Sequence, residues 1–176
     1  MAGHTVYIGL GSNQGESLLN LRLSIRIIAE TSTVVAISAL YRTEPQDQLN
    51  QPDFWNAVIQ VQTMLDPLKL LSRLQRIEQN FGRVSDPANP KGPRVIDLDI
   101  LLFDSLILPG PALILPHPQI QLRRFVLEPL LEIDPDLTHP KSGLPLASFL
   151  PLVAGQGIYE KHPATYNHPD IWLIDN

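Results

Sequence analysis

The sequence contains no cysteine. This absence excludes disulfide bonds, thiolate metal sites and cysteine nucleophiles, and it fits a reducing compartment. We therefore expect oxygen ligands for any metal ion that the chain binds.

Positive charge and aromatic side chains are also scarce. The 176 residues carry a formal net charge of -5, and aromatic residues make up 6% of them. Domains that bind nucleic-acid backbones usually have a strongly basic face, and RNA-binding sheets carry basic and aromatic residues together. We therefore expect no nucleic-acid partner.

Long hydrophobic runs are missing as well. No uninterrupted apolar run reaches the ~18 residues of a membrane-spanning helix, and the first residues, MAGHTVYIGLGSN, lack the basic region of a signal peptide. Hydrophobic residues nevertheless make up 44% of the chain, enough for the core of one domain. The composition predicts a soluble, cytoplasmic protein without a membrane partner, and we expect a monomer.

Hydrophobic periodicity predicts alternating strands and helices. The order strand, helix, strand, strand, helix, strand is typical of a ferredoxin-like α+β sandwich, in which helices cover one face of a mainly antiparallel sheet. The part after Leu131 is rich in proline and turn formers, which predicts an irregular, partly mobile end. The predicted strands are 5–10, 33–41, 54–63 and 95–103, and the predicted helices are 17–30, 67–81 and 122–132.

Two aspartates interrupt the apolar strand in KGPRVIDLDILLF. Asp97 and Asp99 are two positions apart, so their carboxylates point to the same face of a strand. Hard oxygen ligands suit Mg²⁺, which usually completes its shell with water and substrate phosphates. The alternative is a strand end with two solvated acids.

Basic residues flank the aspartate pair in the sequence. The long connection over 82–95 has the length of a lid, and arginine with a metal ion is the usual equipment for phosphoryl transfer. Isolated surface charges are the alternative interpretation. GLGSNQG lacks the spacing of a phosphate-binding loop and predicts a tight turn from strand to helix. The basic cluster consists of Arg83, Lys91, Arg94, His117, Arg123 and Arg124.

The segment KGPRVIDLDILLF closely resembles the signature of 6-hydroxymethyl-7,8-dihydropterin pyrophosphokinases, which act in folate biosynthesis. The resemblance extends in collinear order to about Pro135, through GLGSN, YRTEP, PDFWNAV, QRIEQNFGRV, PHPQI and RRFVLEPL. It implies transfer of a pyrophosphoryl group from ATP to the hydroxymethyl oxygen of a reduced pterin, with release of AMP. We expect a catalytic domain over 1–150, with 151–176 as an irregular extension of that domain.

The resemblance implies a role for each matching residue. Asp97 and Asp99 would hold two Mg²⁺ ions, and Arg83 and Arg94 would close over the triphosphate as catalytic residues. The other implied ATP contacts are Gln75, Glu78, His117 and Arg123, and the implied pterin contacts are Thr43, Glu44, Pro45, Phe54, Asn56 and Phe125.

Simpler interpretations exist for some of these residues. Gln75 and Glu78 have the spacing of an ordinary surface pair on a helix, and Phe54 and Phe125 could be core residues. A binding or regulatory module that kept the pocket without turnover is the rival function. Such a module would be expected to lack the acid pair or the loop arginines, which are present here.

Overall fold

The computed structural model describes residues 3–46, 50–82 and 92–162. The helices are α1 (Ser17–Ala29), α2 (Pro67–Asn80) and α3 (Arg124–Ile133), and a 3₁₀ helix covers Leu146–Val153. The strands are β1 (His4–Ser12), β2 (Ser32–Ile37), β3 (Leu40–Thr43), β4 (Phe54–Thr63), β5 (Asp97–Phe103), β6 (Leu108–Pro109), β7 (Ile114–Leu115) and β8 (Ile158–His162).

The main sheet has the strand order β5-β1-β4-β3-β8, and β2 pairs with β4 beside β3. Every strand pair in it is antiparallel. Strand β1 pairs with β4 on one side and with β5 on the other, so Gly11 is opposite both Asn56 and Asp97. The sheet therefore brings residues from three distant parts of the sequence into one row.

The two faces of the sheet carry separate hydrophobic clusters. On the first face, α1 and α2 contribute Leu21, Ile25, Leu70 and Leu74 to a cluster with sheet residues such as Ile59. On the second face, buried residues of α3 and of the 3₁₀ helix pack against the sheet. These residues are Val126, Leu127, Leu130, Leu146 and Val153, against Tyr7, Val58 and Leu101.

Coverage of only one face by helices was therefore a wrong prediction. Val58 is 1% exposed, although it lies on the face that this prediction left without helices. The two glutamines on the same face of β4 also interact with protein, because Gln60 Nε2 donates to Tyr7 Oη (3.2 Å) and Gln62 Nε2 donates to Thr5 Oγ1 (2.7 Å). Polar side chains at alternate positions of a strand are typical of a solvated face, but here Gln60 and Gln62 bind other residues of the sheet.

Helix α2 has the limits that its sequence predicts. Asp66 accepts a hydrogen bond from the Lys69 backbone N–H (3.0 Å), and Pro67 occupies the first turn, where its missing N–H costs nothing. Gly82 follows the helix with a φ of 83°, a conformation that glycine adopts without strain. Capping chemistry thus accounts for both ends.

The predicted strand over 33–41 is divided into β2 and β3. At the division, the Ser38 N–H donates to the Val58 carbonyl (2.9 Å), and Ser38 Oγ accepts from the Val58 N–H (2.9 Å). The buried serine side chain replaces one backbone partner of β4, so the chain changes course without leaving Val58 unpaired.

The C-terminal part is more regular than predicted as far as His162. Residues 146–153 form the 3₁₀ helix, and β8 pairs with β3 as a further strand of the main sheet. The division of the chain at residue 150 stays a prediction.

The α+β class and the antiparallel sheet are confirmed, whereas the ferredoxin-like label stays a prediction. Within the described ranges, no helix combines the length and hydropathy needed to span a bilayer.

We predict that Leu127→Ala lowers the free energy of unfolding by about 2–5 kcal/mol, because Leu127 is fully buried on the second face and its truncation leaves a cavity. Chemical denaturation measures the loss. Leu152→Ala is the matched control, since Leu152 is 78% exposed and should change stability little. Equal effects of the two substitutions would contradict the packing of α3 on the sheet.

Candidate active site

A cleft of about 320 Å³ opens where β1, β4 and β5 meet the residues around the start of α3. Charged side chains of both signs line one part of the cleft, and mainly apolar side chains line the other part. The polar part includes Arg94, Asp97, Asp99, His117 and Arg123, and the apolar part includes Leu10, Phe54, Ala57, Val58, Leu101, Phe125 and Val126.

The two aspartates line the cleft from one face of β5. Gly11 is opposite Asp97 and Gly9 is opposite Asp99 on the neighbouring strand, so no side chain of β1 stands between the carboxylates and the cleft. The side chains of Asp97 and Asp99 are 22% and 43% exposed. The acids in this apolar strand are therefore only partly desolvated, because they project into the cleft.

Arg94 supplies a cation for the first acid. Its guanidinium donates to Asp97 Oδ1. Its backbone is held by Asn13, whose Oδ1 accepts from the Arg94 N–H (2.7 Å) and whose N–H donates to the Arg94 carbonyl (3.0 Å). Asn13 is 5% exposed and also donates to the Pro52 carbonyl (3.0 Å). Asn13 thus fixes the segment that carries Arg94 at the rim of the cleft.

His117 lies beside the second acid, with Nε2 at 3.9 Å from Asp99 Oδ2. Burial, and to a smaller extent the positive charge of Arg123, lowers the pKa of His117 to about 4, against an opposing effect of Asp97. Its Nδ1 is oriented to accept from the Gln119 N–H (3.1 Å). The ring is therefore neutral at pH 7 and carries its proton on Nε2, facing the acids.

A buried polar pair lies within the apolar part of the cleft. Asn56 Nδ2 donates to Thr43 Oγ1 (2.8 Å), and the two residues are 5% and 1% exposed. A Cβ atom at Gly11 would lie 3.2 Å from Asn56 Oδ1, so the glycine leaves room beside this oxygen. The arrangement suits a flat ring with hydrogen-bonding groups along its edge.

Ten of the predicted site residues line this cleft: Thr43, Glu44, Phe54, Asn56, Arg94, Asp97, Asp99, His117, Arg123 and Phe125. Phe125 and Arg123 also contact each other, with the guanidinium carbon 5.6 Å from the ring centroid. Their roles toward a ligand stay predictions.

Three other predicted residues, Pro45, Gln75 and Glu78, do not line the cleft. Glu78 is buried, and its Oε1 accepts from the Leu98 N–H (2.8 Å), so it supports β5 between the two aspartates from the opposite face. Gln75 is exposed and Pro45 is buried, and neither lines the cleft. Arg83, Lys91 and most of the predicted lid fall outside the described residues.

Sequence reasoning missed the contribution of β1. The predicted strand over 5–10 was too short at its C-terminal end, because Gly11 and Ser12, which were predicted to lie in the turn, belong to β1. The available signal for this contribution was that Gly9 and Gly11, which lie opposite the acid pair, are small residues at alternate positions. Asn13 gave no signal that could be separated from an ordinary turn residue.

The comparison with known families agrees with this geometry. Residues 7–135 match the sequence model of the family 7,8-dihydro-6-hydroxymethylpterin-pyrophosphokinase (HPPK). The 2-amino-4-hydroxy-6-hydroxymethyldihydropteridine pyrophosphokinase of Haemophilus influenzae is 41% identical over 140 residues, which cover 78% of this chain and 86% of that protein.

A second relative is much longer. The folic acid synthesis protein fol1 of Pneumocystis carinii is 41% identical over 167 residues, which are 94% of this chain and 22% of that protein. The chain thus spans about a fifth of the length of the fol1 proteins that it matches.

A solved structure shares the fold. The HPPK-DHPS of Plasmodium falciparum, determined with pterin and p-hydroxybenzoate, aligns with a TM-score of 0.69 at 15% identity, covering 86% of this chain and 42% of that one. The family match over residues 7–135, together with the Haemophilus relative, is decisive: the chain belongs to the 7,8-dihydro-6-hydroxymethylpterin-pyrophosphokinase family.

Proposed function

We propose that the protein transfers a pyrophosphoryl group from ATP to the hydroxymethyl oxygen of 6-hydroxymethyl-7,8-dihydropterin, giving the pterin diphosphate and AMP in folate biosynthesis. The observation that carries the proposal is that one cleft joins an acid pair and cations to an apolar slot with a polar edge. The first part suits a metal-bound triphosphate, and the second suits the pterin.

The acid pair fits Mg²⁺. Asp97 and Asp99 offer carboxylate oxygens from one face of β5, and among the described residues no group of three or more histidine, aspartate or glutamate side chains could enclose a metal ion. Two carboxylates with open positions match the preference of Mg²⁺ for water and substrate phosphates as further ligands. Bound there, Mg²⁺ would neutralise phosphate charge and make the attacking hydroxyl more acidic.

The cations of the cleft would orient the triphosphate. Arg94 and Arg123 can each bind phosphate oxygens through two N–H groups, and neutral His117 can donate from Nε2. Asn13 holds the backbone of Arg94, which reduces the entropy lost when its side chain binds. Arg83 would complete this set.

The pterin would occupy the slot between Phe54 and Phe125. The Asn56–Thr43 pair would form hydrogen bonds with the edge of the ring, because an amide can both donate and accept. The substrate supplies its own nucleophile, a primary alcohol, so the protein needs no serine or cysteine for attack. Its residues orient the alcohol toward the β-phosphorus and exclude water.

Four further expectations, on fold type, oligomeric state, location and partners, belong to this proposal. A ferredoxin-like arrangement, a monomeric state, a cytoplasmic location and the absence of a nucleic-acid ligand are consistent with the sequence and are part of what we propose. A binding module without turnover is the alternative, and it would bind pterin and nucleotide without forming AMP.

We predict that the full chain, incubated with ATP, Mg²⁺ and the hydroxymethyl-dihydropterin, forms AMP and pterin diphosphate in equal amounts. Excess EDTA should abolish the reaction, because the triphosphate then lacks its neutralising cation. Chromatographic separation of nucleotides gives both results. Formation of ADP with a monophosphorylated pterin would contradict the proposal, and ligand binding without either product would favour the binding module.

We predict that Asp97→Asn and Asp99→Asn each lower kcat by about 100-fold or more, because the amide is a poor ligand for Mg²⁺ at the transferring group. The fold should be retained, since the amide has the shape of the carboxylate. In Asp97→Asn, the amide oxygen can still accept a hydrogen bond from Arg94. Steady-state kinetics and circular dichroism measure the two effects. Asp136→Asn is the matched control, because Asp136 is exposed and does not line the cleft. Turnover near wild type in both cleft variants would exclude a metal-binding role for the pair.

A further inference from the structure

The segment 154–159, which we call the C-terminal strap, lies outside the family match at residues 7–135. It runs from the end of the 3₁₀ helix into the first two residues of β8 and contacts both rims of the cleft. One rim is the chain after β3, which carries Glu44, and the other is the start of α3, which carries Arg123 and Phe125.

Gln156 binds the backbone on both sides of Arg123. Its Oε1 accepts from the Arg124 N–H (2.8 Å), and its Nε2 donates to the Leu122 carbonyl (2.8 Å). Arg124 N–H belongs to the first turn of α3, where no helical partner exists, and the side chain of Arg123 makes no capping hydrogen bond. The Gln156 amide therefore fixes the peptide groups on either side of a cleft-lining arginine.

The Arg124 side chain in turn binds the backbone of the strap. Its Nη1 donates to the Gln156 carbonyl (3.0 Å) and to the Ala154 carbonyl (3.3 Å), and its Nε donates to Glu128 Oε1 (2.7 Å). The start of α3 and the strap thus hold each other through side chains from both segments. Rotation of the Arg123 backbone would break several of these bonds together.

The strap also holds the opposite rim. The Gly157 N–H donates to Glu44 Oε1 (2.8 Å), and Tyr159 Oη donates to Glu44 Oε2 (3.1 Å). A Cβ atom at position 157 would lie 3.1 Å from the Glu44 carboxyl carbon, so glycine permits the close approach. Adjacent residues of one segment, Gln156 and Gly157, therefore fix the two rims relative to each other.

We infer that Gln156 is a positioning residue, which acts through Arg123 to hold the phosphate-binding side of the cleft in its working geometry. The inference rests on the proposed function, because it assigns Arg123 to the nucleotide. Gln156 itself does not line the cleft. Its loss should affect the nucleotide more than the pterin, since its two hydrogen bonds flank Arg123 directly.

We predict that Gln156→Ala raises KM for MgATP about tenfold, with less than a twofold change in KM for the pterin, because the loss of two hydrogen bonds frees the backbone of Arg123. In an Arg123→Ala background the same substitution should change KM for MgATP less than twofold, since the residue through which Gln156 acts is then absent. Steady-state kinetics of the four full-length chains measure both effects.

Val153→Ala is the control for simple destabilisation. Val153 is 5% exposed in the second hydrophobic cluster, so its truncation should lower the thermal midpoint without changing KM for MgATP. The inference is overturned if Gln156→Ala has the same effect in both backgrounds, or if Val153→Ala raises KM for MgATP equally. It is also overturned if Gln156→Ala leaves KM for MgATP unchanged. An inactive wild type would overturn the proposed function itself, and the inference with it.

Discussion

The site depends on one constraint, the placement of two carboxylates at alternate positions of an otherwise apolar strand. Unpaired acids in such a strand would be strongly destabilising if fully buried. The sheet avoids this cost by pairing Asp97 and Asp99 with Gly11 and Gly9 of β1, so that the carboxylates face a cleft that Arg94 and Arg123 also line. Arg94 pairs with the first acid, and Arg123 brings a second positive charge into the same cleft.

Support for this arrangement comes from residues outside the cleft. The Glu78 carboxylate on α2 accepts from the Leu98 N–H, and the Asn13 side chain accepts from the Arg94 N–H. The Gln156 amide binds the backbone on both sides of Arg123. In each case a side-chain amide or carboxylate binds the backbone next to a cleft residue. The cleft residues thus have backbones held from outside the cleft, and their charged groups line the cleft. The proposed phosphoryl transfer would depend on pre-organisation of this kind, because in that proposal the substrate supplies the nucleophile.

Local chemistry explains what the sequence could predict. Asp66, Pro67 and Gly82 define the ends of α2, and the spacing of Asp97 and Asp99 on a strand already placed both acids on one face. The other features depend on contacts between distant segments. Periodicity within one strand could not show that α3 covers the second face, and composition alone suggested an irregular end where β8 joins the sheet. Likewise, the contact between Gln156 and the start of α3 joins residues more than 30 positions apart.

The most direct test of the central role of the acid pair is the binding of Mn²⁺, a spectroscopic substitute for Mg²⁺, followed by electron paramagnetic resonance. The measurement compares the wild type with the Asp97→Asn/Asp99→Asn double variant, with and without an unreactive ATP analogue. Two carboxylates alone are an incomplete ligand set, so we predict weak binding to the free wild type and much tighter binding with the analogue. The double variant should bind the analogue without showing the protein-bound Mn²⁺ signal of the wild type. The same signal and affinity in both proteins would contradict the account.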